Sequence, residues 1–345
     1  MWLKRKIFSH LFLVLWLSLM FCGIAAADNN CLNDDLFGVS FADSSTGWVC
    51  GRWGKILHTQ NQGCSWVRQH SGVEVALTSI FFVDTLHGWA VGDQGTIITT
   101  VDGGQTWYQQ DSPVPYYLMK VFFISATEGW AVGEKTAILH TVDGGKNWQL
   151  QFSDEDFILK SITFSDPLHG WAVGEYGYIY HTDNGGLSWH KQAGIFDFSE
   201  ETGEIIGGNF LFDVKAVDEK KVWVVGIDGY VAFTDDGGKN WQQVSGAIPK
   251  VHLFSIEANR EGKNIVIAGD AVLLSSSDYG KTFHLLAGEP TIAYGWLYEI
   301  ARRGDRGFVA VGSGQSIYLT DTQAIYWYAS VEAFCQSVND DDIYY

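Results

Sequence analysis

Four tryptophans, Trp48, Trp89, Trp130 and Trp171, stand 41 residues apart, each just after a glycine. The series continues through Trp223, Val266 and Phe308 at steps of 52, 43 and 42 residues. A period near 40 is the mark of a stacked array, in which one supersecondary unit is repeated because no single copy can bury its own apolar face. The stretch from Gly88 to Trp107, GWAVGDQGTIITTVDGGQTW, shows the unit most plainly.

Each unit reads as four short strands separated by glycine turns. In the second copy these are Thr78–Val83, Trp89–Val91, Thr96–Thr100 and Thr106–Gln110. Both faces of the first strand are apolar, as expected of a strand covered by neighbours on two sides. Helical periodicity is absent after the leader, and four strands per unit of about 40 residues is the size of one propeller blade. Seven units predict an all-β fold, a seven-bladed β-propeller of four-stranded antiparallel blades closed between the first and last.

The turn that ends each unit explains its own residues. In Thr100–Trp107 an aspartate accepts turn N–H groups, glycines tolerate positive φ, and the tryptophan opens the outer strand. The turn acceptors are Asn61, Asp102, Asp143, Asn184, Asp236 and Asp278. These turns resemble the Asp-box of sialidase-like propellers, a resemblance that implies folding devices rather than catalytic carboxylates. His58, His140 and His181 share one slot in different blades, so they do not converge on a metal.

Charge narrows the partners. The chain carries a formal charge of −18 at pH 7 and becomes more acidic without Lys4, Arg5 and Lys6 of the leader. That excludes a nucleic-acid footprint and suits a basic partner segment. Residues 1–27, with a basic start, an apolar run from Ile7 to Ile24 and the end Ala25-Ala26-Ala27, have the layout of a secretory signal peptide. An uncleaved anchor is the alternative. Residues 28–345 form one propeller domain outside the cytoplasm, monomeric, with no membrane insertion of its own once the leader is cleaved. Cys31 precedes the first strand and Cys335 follows the last, which predicts a bond between them. Cys50, in a core position, and Cys64, in a turn, are then expected as free thiols.

Antiparallel blades sort their loops onto two faces. The turns between second and third strands and the links between blades share one, here the link face; the remaining turns share the other, here the box face. On the link face the short turns carry Asp93, Glu134, Glu175, Asp228 and Asp270, with Arg52 in the first blade. A partial ring of carboxylates can hold a basic peptide or a cation through its summed field. Trp53, Tyr116, Tyr117, Tyr176 and Tyr294 lie beside it and are residue types favoured at binding surfaces. The longest link, Phe196–Glu204, is expected as a loop on the same face. Arg302, Arg303 and Arg306 fall on the box face and read as a solvated basic turn.

The combination at Gly129–Gly133 with His140–Trp148, and again at Gly170–Gly174 with His181–Trp189, resembles the photosystem II stability and assembly factor family. The resemblance runs from about Leu36 to Trp327. It implies a non-catalytic factor, without cofactor or metal, that holds a protein subunit of a membrane or envelope complex while that complex matures. A periplasm or a thylakoid lumen would be the setting. The photosynthetic members are associated with an arginine-rich patch, whereas only six arginines follow the leader here. The alternative is a carbohydrate-binding or glycosidase-type propeller, which needs two carboxylates across a scissile bond.

Overall fold

The computed structural model describes residues 34–199, 202, 205–246, 248–286, 288–289, 295–320 and 327–328. Each repeat folds as a meander of four antiparallel strands. In blade 1 these are Leu36–Phe41, Gly47–Gly51, Lys55–Thr59 and Val67–His70. The innermost strands of blades 2 to 7 are Leu77–Phe82, Leu118–Phe123, Leu159–Phe164, Leu211–Ala216, Leu253–Ala258 and Leu297–Arg302. Each packs on its neighbour round the ring, and the last packs on the first. The fold is a seven-bladed β-propeller.

Second strands are buried along their whole length, while outer strands such as Val67–His70 are mostly exposed. The core therefore lies between blades, and the repeated aromatics build it. Trp48 stacks on Phe82 of the next blade with ring centroids 3.5 Å apart; Trp89 on Phe123 and Trp130 on Phe164 repeat the contact at 3.6 and 3.8 Å. The indole N–H of Trp48 donates to the Gly103 carbonyl, and that of Trp89 to the Gly144 carbonyl. Outer-strand glutamines reach the same turns: Gln69 Nε2 donates to Gly103 and Gln110 Nε2 to Gly144, both at 2.9 Å. A Cβ on Gly145 would sit 2.1 Å from Gln110 Oε1, and φ there is +86°, so glycine serves both the turn and the contact.

Within the turns, Asp102 Oδ1 accepts Thr106 N–H at 2.9 Å and the Thr100 hydroxyl at 2.8 Å, while Thr100 Oγ1 accepts Gly104 N–H. Hydrogen bonds led by the Thr106 hydroxyl hold the Asp102 carboxyl below its usual range. Asn61 and Asn184 keep the acceptor role, with Ser65 N–H at 2.9 Å and Ser188 N–H at 3.0 Å, and donate their amides to the hydroxyls of those serines. Asp143, Asp236 and Asp278 take the corresponding N–H of Asn147, Asn240 and Thr282. His58, His140 and His181 stack on Trp48, Trp130 and Trp171 at 4.7 to 4.8 Å, so their slot is a packing position.

The ring closes through polar contacts between blades 7 and 1. Arg303 is buried, not solvated: its guanidinium donates to the carbonyls of Gln62, Arg306 and Thr320. The basic turn thus contains a structural bolt, with Arg306 alongside on Gln62 Oε1. Gly314 N–H donates to Asp35 Oδ1 and Lys55 Nζ to Gln315 Oε1. Blade 7 also gains Gly288–Glu289, parallel to its outer strand Trp327–Tyr328.

Cys50 is a buried free thiol, pushed up in pKa by burial. Cys64 is disulfide-bonded, which corrects its expected state as a free thiol. Its turn is solvent-accessible and local sequence says nothing of which distant cysteine can approach it. Cys31 and Cys335 lie outside the described residues, as do Tyr294 and the leader.

Candidate functional site

The link face is built on six single 3-10 turns that join second to third strands, with a tighter turn at Asp270 in blade 6. The first turn residue donates its N–H to the carbonyl just before the innermost strand: Asp93 to Ala76, Glu134 to Tyr117, Glu175 to Ile158, Asp270 to His252. The second adopts positive φ, a slot filled by Trp53, Gln94, Lys135, Tyr176, Asp228 and, in blade 6, Ala271. Asp228, with φ of 53°, is therefore one position along from the other acids.

Two of the acids are turned to local work. Glu134 Oε2 accepts Tyr117 N–H at 3.2 Å, and Glu175 Oε2 accepts Ile158 N–H at 3.1 Å. Asp93 Oδ1 accepts the amide of Gln94, and Arg52 pairs with Asp35 at 2.8 Å. Tyr117 lies near enough to feel several of these charges: burial first, then Asp93 and Glu134, raise its hydroxyl pKa against the pull of Arg52. The carboxylates of Asp228 and Asp270 have no such contact among the described residues. The only group of potential metal ligands among the described residues, Asp166, His169 and Glu219, lies in box-face turns, and its Asp166 and His169 already bond each other.

The aromatics divide. Trp53 is 65% exposed. Tyr116 is half-buried beside the core of blades 2 and 3, with Lys135 Nζ 4.6 Å above its ring. Tyr176 packs on Phe157, Phe196 and Phe210 at 4.7 to 5.0 Å, so it supports the face more than it presents one. The long link is a hairpin, Phe196–Phe198 paired with Ile205–Gly207, and Phe196 anchors its base against Phe157.

A second aromatic set was not singled out from the sequence. In all seven blades the pairing of first and second strands slips beside the leading leucine. A bulge re-aims side chains, and the residue after the leucine is the one displaced. In blades 5, 6, 7 and 1 it is Phe212, Phe254, Tyr298 and Phe37. Their rings follow one another at 5.2, 5.7 and 5.7 Å, and Trp296 stacks on Phe37 at 6.0 Å. Blades 2 to 4 complete the circle with Thr78, Met119 and Lys160. Burial lowers the Lys160 pKa, opposed by Glu175 and Glu134.

One residue further, the channel is plugged. Lys120 of blade 3 pairs with Glu299 of blade 7 across the axis, where Gly38 and Ser79 leave room. Asp213 accepts the hydroxyls of Ser161 and Ser255 and the amides of Val214 and Ile256 at 2.6 to 3.0 Å. Burial pushes the Glu299 carboxyl up to about 7 in spite of Lys120. Burial alone would lower Lys120; Glu299, Asp213 and Glu257 outweigh it and raise its pKa. Below the plug, Lys215 pairs with Glu257 at 2.6 Å.

Residues 68–155 and 201–342 match the family model described as photosynthesis system II assembly factor YCF48. The chain belongs to this family. Among solved structures, a YCF48 with a bound D1 peptide superposes with a TM-score of 0.67 at 21% identity, over 84% of this chain and 95% of the other. YCF48 from Cyanidioschyzon merolae gives 0.67 at 17% identity, over 83% and 95%. A GH74 xyloglucanase from Xanthomonas campestris reaches 0.66 at 11% identity, over 86% of this chain and 54% of its own. At such identities the likeness is one of fold. No curated protein matches significantly.

Proposed function

We propose that this protein is a non-catalytic scaffold, exported from the cytoplasm to a periplasm or lumen, that holds a polypeptide segment of a membrane complex during assembly. Its link face is the seat. The observation that carries the reading is the arc Phe212–Phe254–Tyr298–Phe37 at the channel mouth, on the face whose short turns carry the acids. Partly exposed aromatic rings around a recess are what anchor residues of a peptide need. Carboxylates on the same face favour a segment with basic residues flanking the apolar anchor. Family membership and the YCF48 solved with a D1 peptide support a protein client. The channel acids speak against glycoside hydrolysis, because Glu299 and Glu257 are in ion pairs and the Asp213 carboxylate already accepts four hydrogen bonds. Within the channel, these acids are therefore not a free pair placed to flank a sugar bond.

The test is fluorescence anisotropy with labelled D1 peptide and with a peptide carrying lysines around a leucine-rich centre. Phe254→Ala should weaken binding by about tenfold or more, the loss typical of a buried aromatic anchor. Arg306→Gln on the opposite face should leave it unchanged. Binding that survives Phe254→Ala and Trp53→Ala, or that neither peptide shows, would refute the assignment.

A further inference from the structure

Beneath the plug, the channel opens on the box face as a cavity of about 390 Å³. Its roof is fixed, since Asp213 is saturated by four donors and Lys120 and Glu299 are paired. Its walls are unlike each other. On the side of blades 2 and 3, Phe81 and Phe122 line it with ring centroids 5.0 Å apart. Both belong to innermost strands and pack on the blade cores, yet stay partly exposed where they line the cavity.

On the side of blades 6 and 7 the lining includes Arg260 and Arg302. Lys215 and Glu257 neutralise each other there, whereas neither guanidinium, that of exposed Arg260 or of half-buried Arg302, has an ion-pair or hydrogen-bond partner among the described residues. Every acid of the cavity is already engaged and the two guanidinium groups are not, so the unmet charge is positive. This holds within a chain of formal charge −18, where long-range attraction alone would favour a cation.

We propose that this cavity is a binding site for a small organic anion with an apolar body. Arg260 and Arg302 take its carboxylate, and Phe81 and Phe122 cover its body. Guanidinium groups bind carboxylates through paired, charge-assisted N–H bonds, and an apolar ligand surface against the two rings removes both from water. The volume falls within the range of about 300–1,000 Å³ usual for small-molecule sites. A simple inorganic anion would leave the aromatic wall wet, and a cation would meet the arginines. The plug stops any extended chain from threading the channel, so a polypeptide could enter only by its end. The free acid and the carboxyl terminus of an apolar residue present the same chemistry here.

The experiment is calorimetric titration of the full, oxidised chain with 3-phenylpropionate, 3-phenylpropionamide and inorganic phosphate. One saturable site for 3-phenylpropionate is expected, with the amide and phosphate each weaker by about tenfold or more. The double variant Arg260→Gln/Arg302→Gln should lose the acid's advantage over the amide while its melting temperature stays that of the parent. Phe254→Ala on the link face should not change the titration, which separates this site from the peptide seat. Acetyl-Ala-Ala-Phe with a free carboxylate distinguishes the sources: tighter binding than 3-phenylpropionate identifies a chain terminus, weaker binding a free acid. Equal binding of acid and amide, phosphate binding as tightly as the acid, or no saturable site at millimolar ligand would overturn the proposal.

Discussion

Replacing Gln110 by leucine tests whether the blades are fastened as the structure indicates. Gln110 Nε2 donates to the Gly144 carbonyl at 2.9 Å, and its Oε1 accepts the Trp148 indole N–H at 3.0 Å. Leucine preserves most of the volume and removes both bonds. The Gly144 carbonyl keeps the Trp89 N–H at 3.0 Å, so it is not orphaned, but Trp148 is 6% exposed and its N–H loses its partner. Two neutral hydrogen bonds at about 1 kcal/mol each, plus about 1–2 kcal/mol for a buried unsatisfied donor, predict a loss of about 3–4 kcal/mol. Gln69→Leu should cost less, because Trp107 reaches Gln69 at only 3.4 Å. Exposed Gln243, which has no side-chain hydrogen bond among the described residues, is the control. Urea unfolding of the oxidised protein, followed by tryptophan fluorescence and circular dichroism together, reads the difference. A Gln110→Leu midpoint equal to that of Gln243→Leu, or a greater loss for Gln69→Leu, would refute the account.

Two pH effects follow from buried groups. Burial raises Glu299 from 4.5 to about 7, so the folded state binds a proton that the unfolded chain has released. The contribution of this group is therefore full below pH 4.5 and falls by about 3 kcal/mol by pH 7. Glu299→Gln should flatten the stability profile in that window, and an unchanged slope in urea titrations would contradict it. Burial lowers His181 below 6.5, so its contribution is present above that pH and is lost as pH falls. Phe233 fills the same slot in blade 5, stacked on Trp223 at 4.9 Å. His181→Phe should melt like the parent near pH 8 and higher than the parent near pH 5, each compared by calorimetry; equal melting at both would show that the histidine is neutral to stability.

What sequence could and could not show follows from the range of the contacts. The turn acceptors Asp102 and Asn61 bond within four residues, and the tryptophans recur because each blade needs the same wedge; local chemistry and period are enough for these. The acids of the link face were legible as residues but not as a ring. Glu134 and Glu175 reach back to amides 17 residues earlier, and Asp228 slips by one place because Ile227 holds the position of its counterparts. Lys120 and Glu299 are 179 residues apart, and they meet only because a bulge turns the third residue of each inner strand onto the axis. In a strand that otherwise reads as apolar, Lys120, Asp213 and Glu299 are the signal that was there to be found. A charged side chain at a position buried by symmetry must find a partner. In a closed ring the axis is where such a partner can come from another blade. Applied to the residue just before it, the same reasoning finds the aromatic arc, since Phe37, Phe212, Phe254 and Tyr298 stand at matching places in four inner strands.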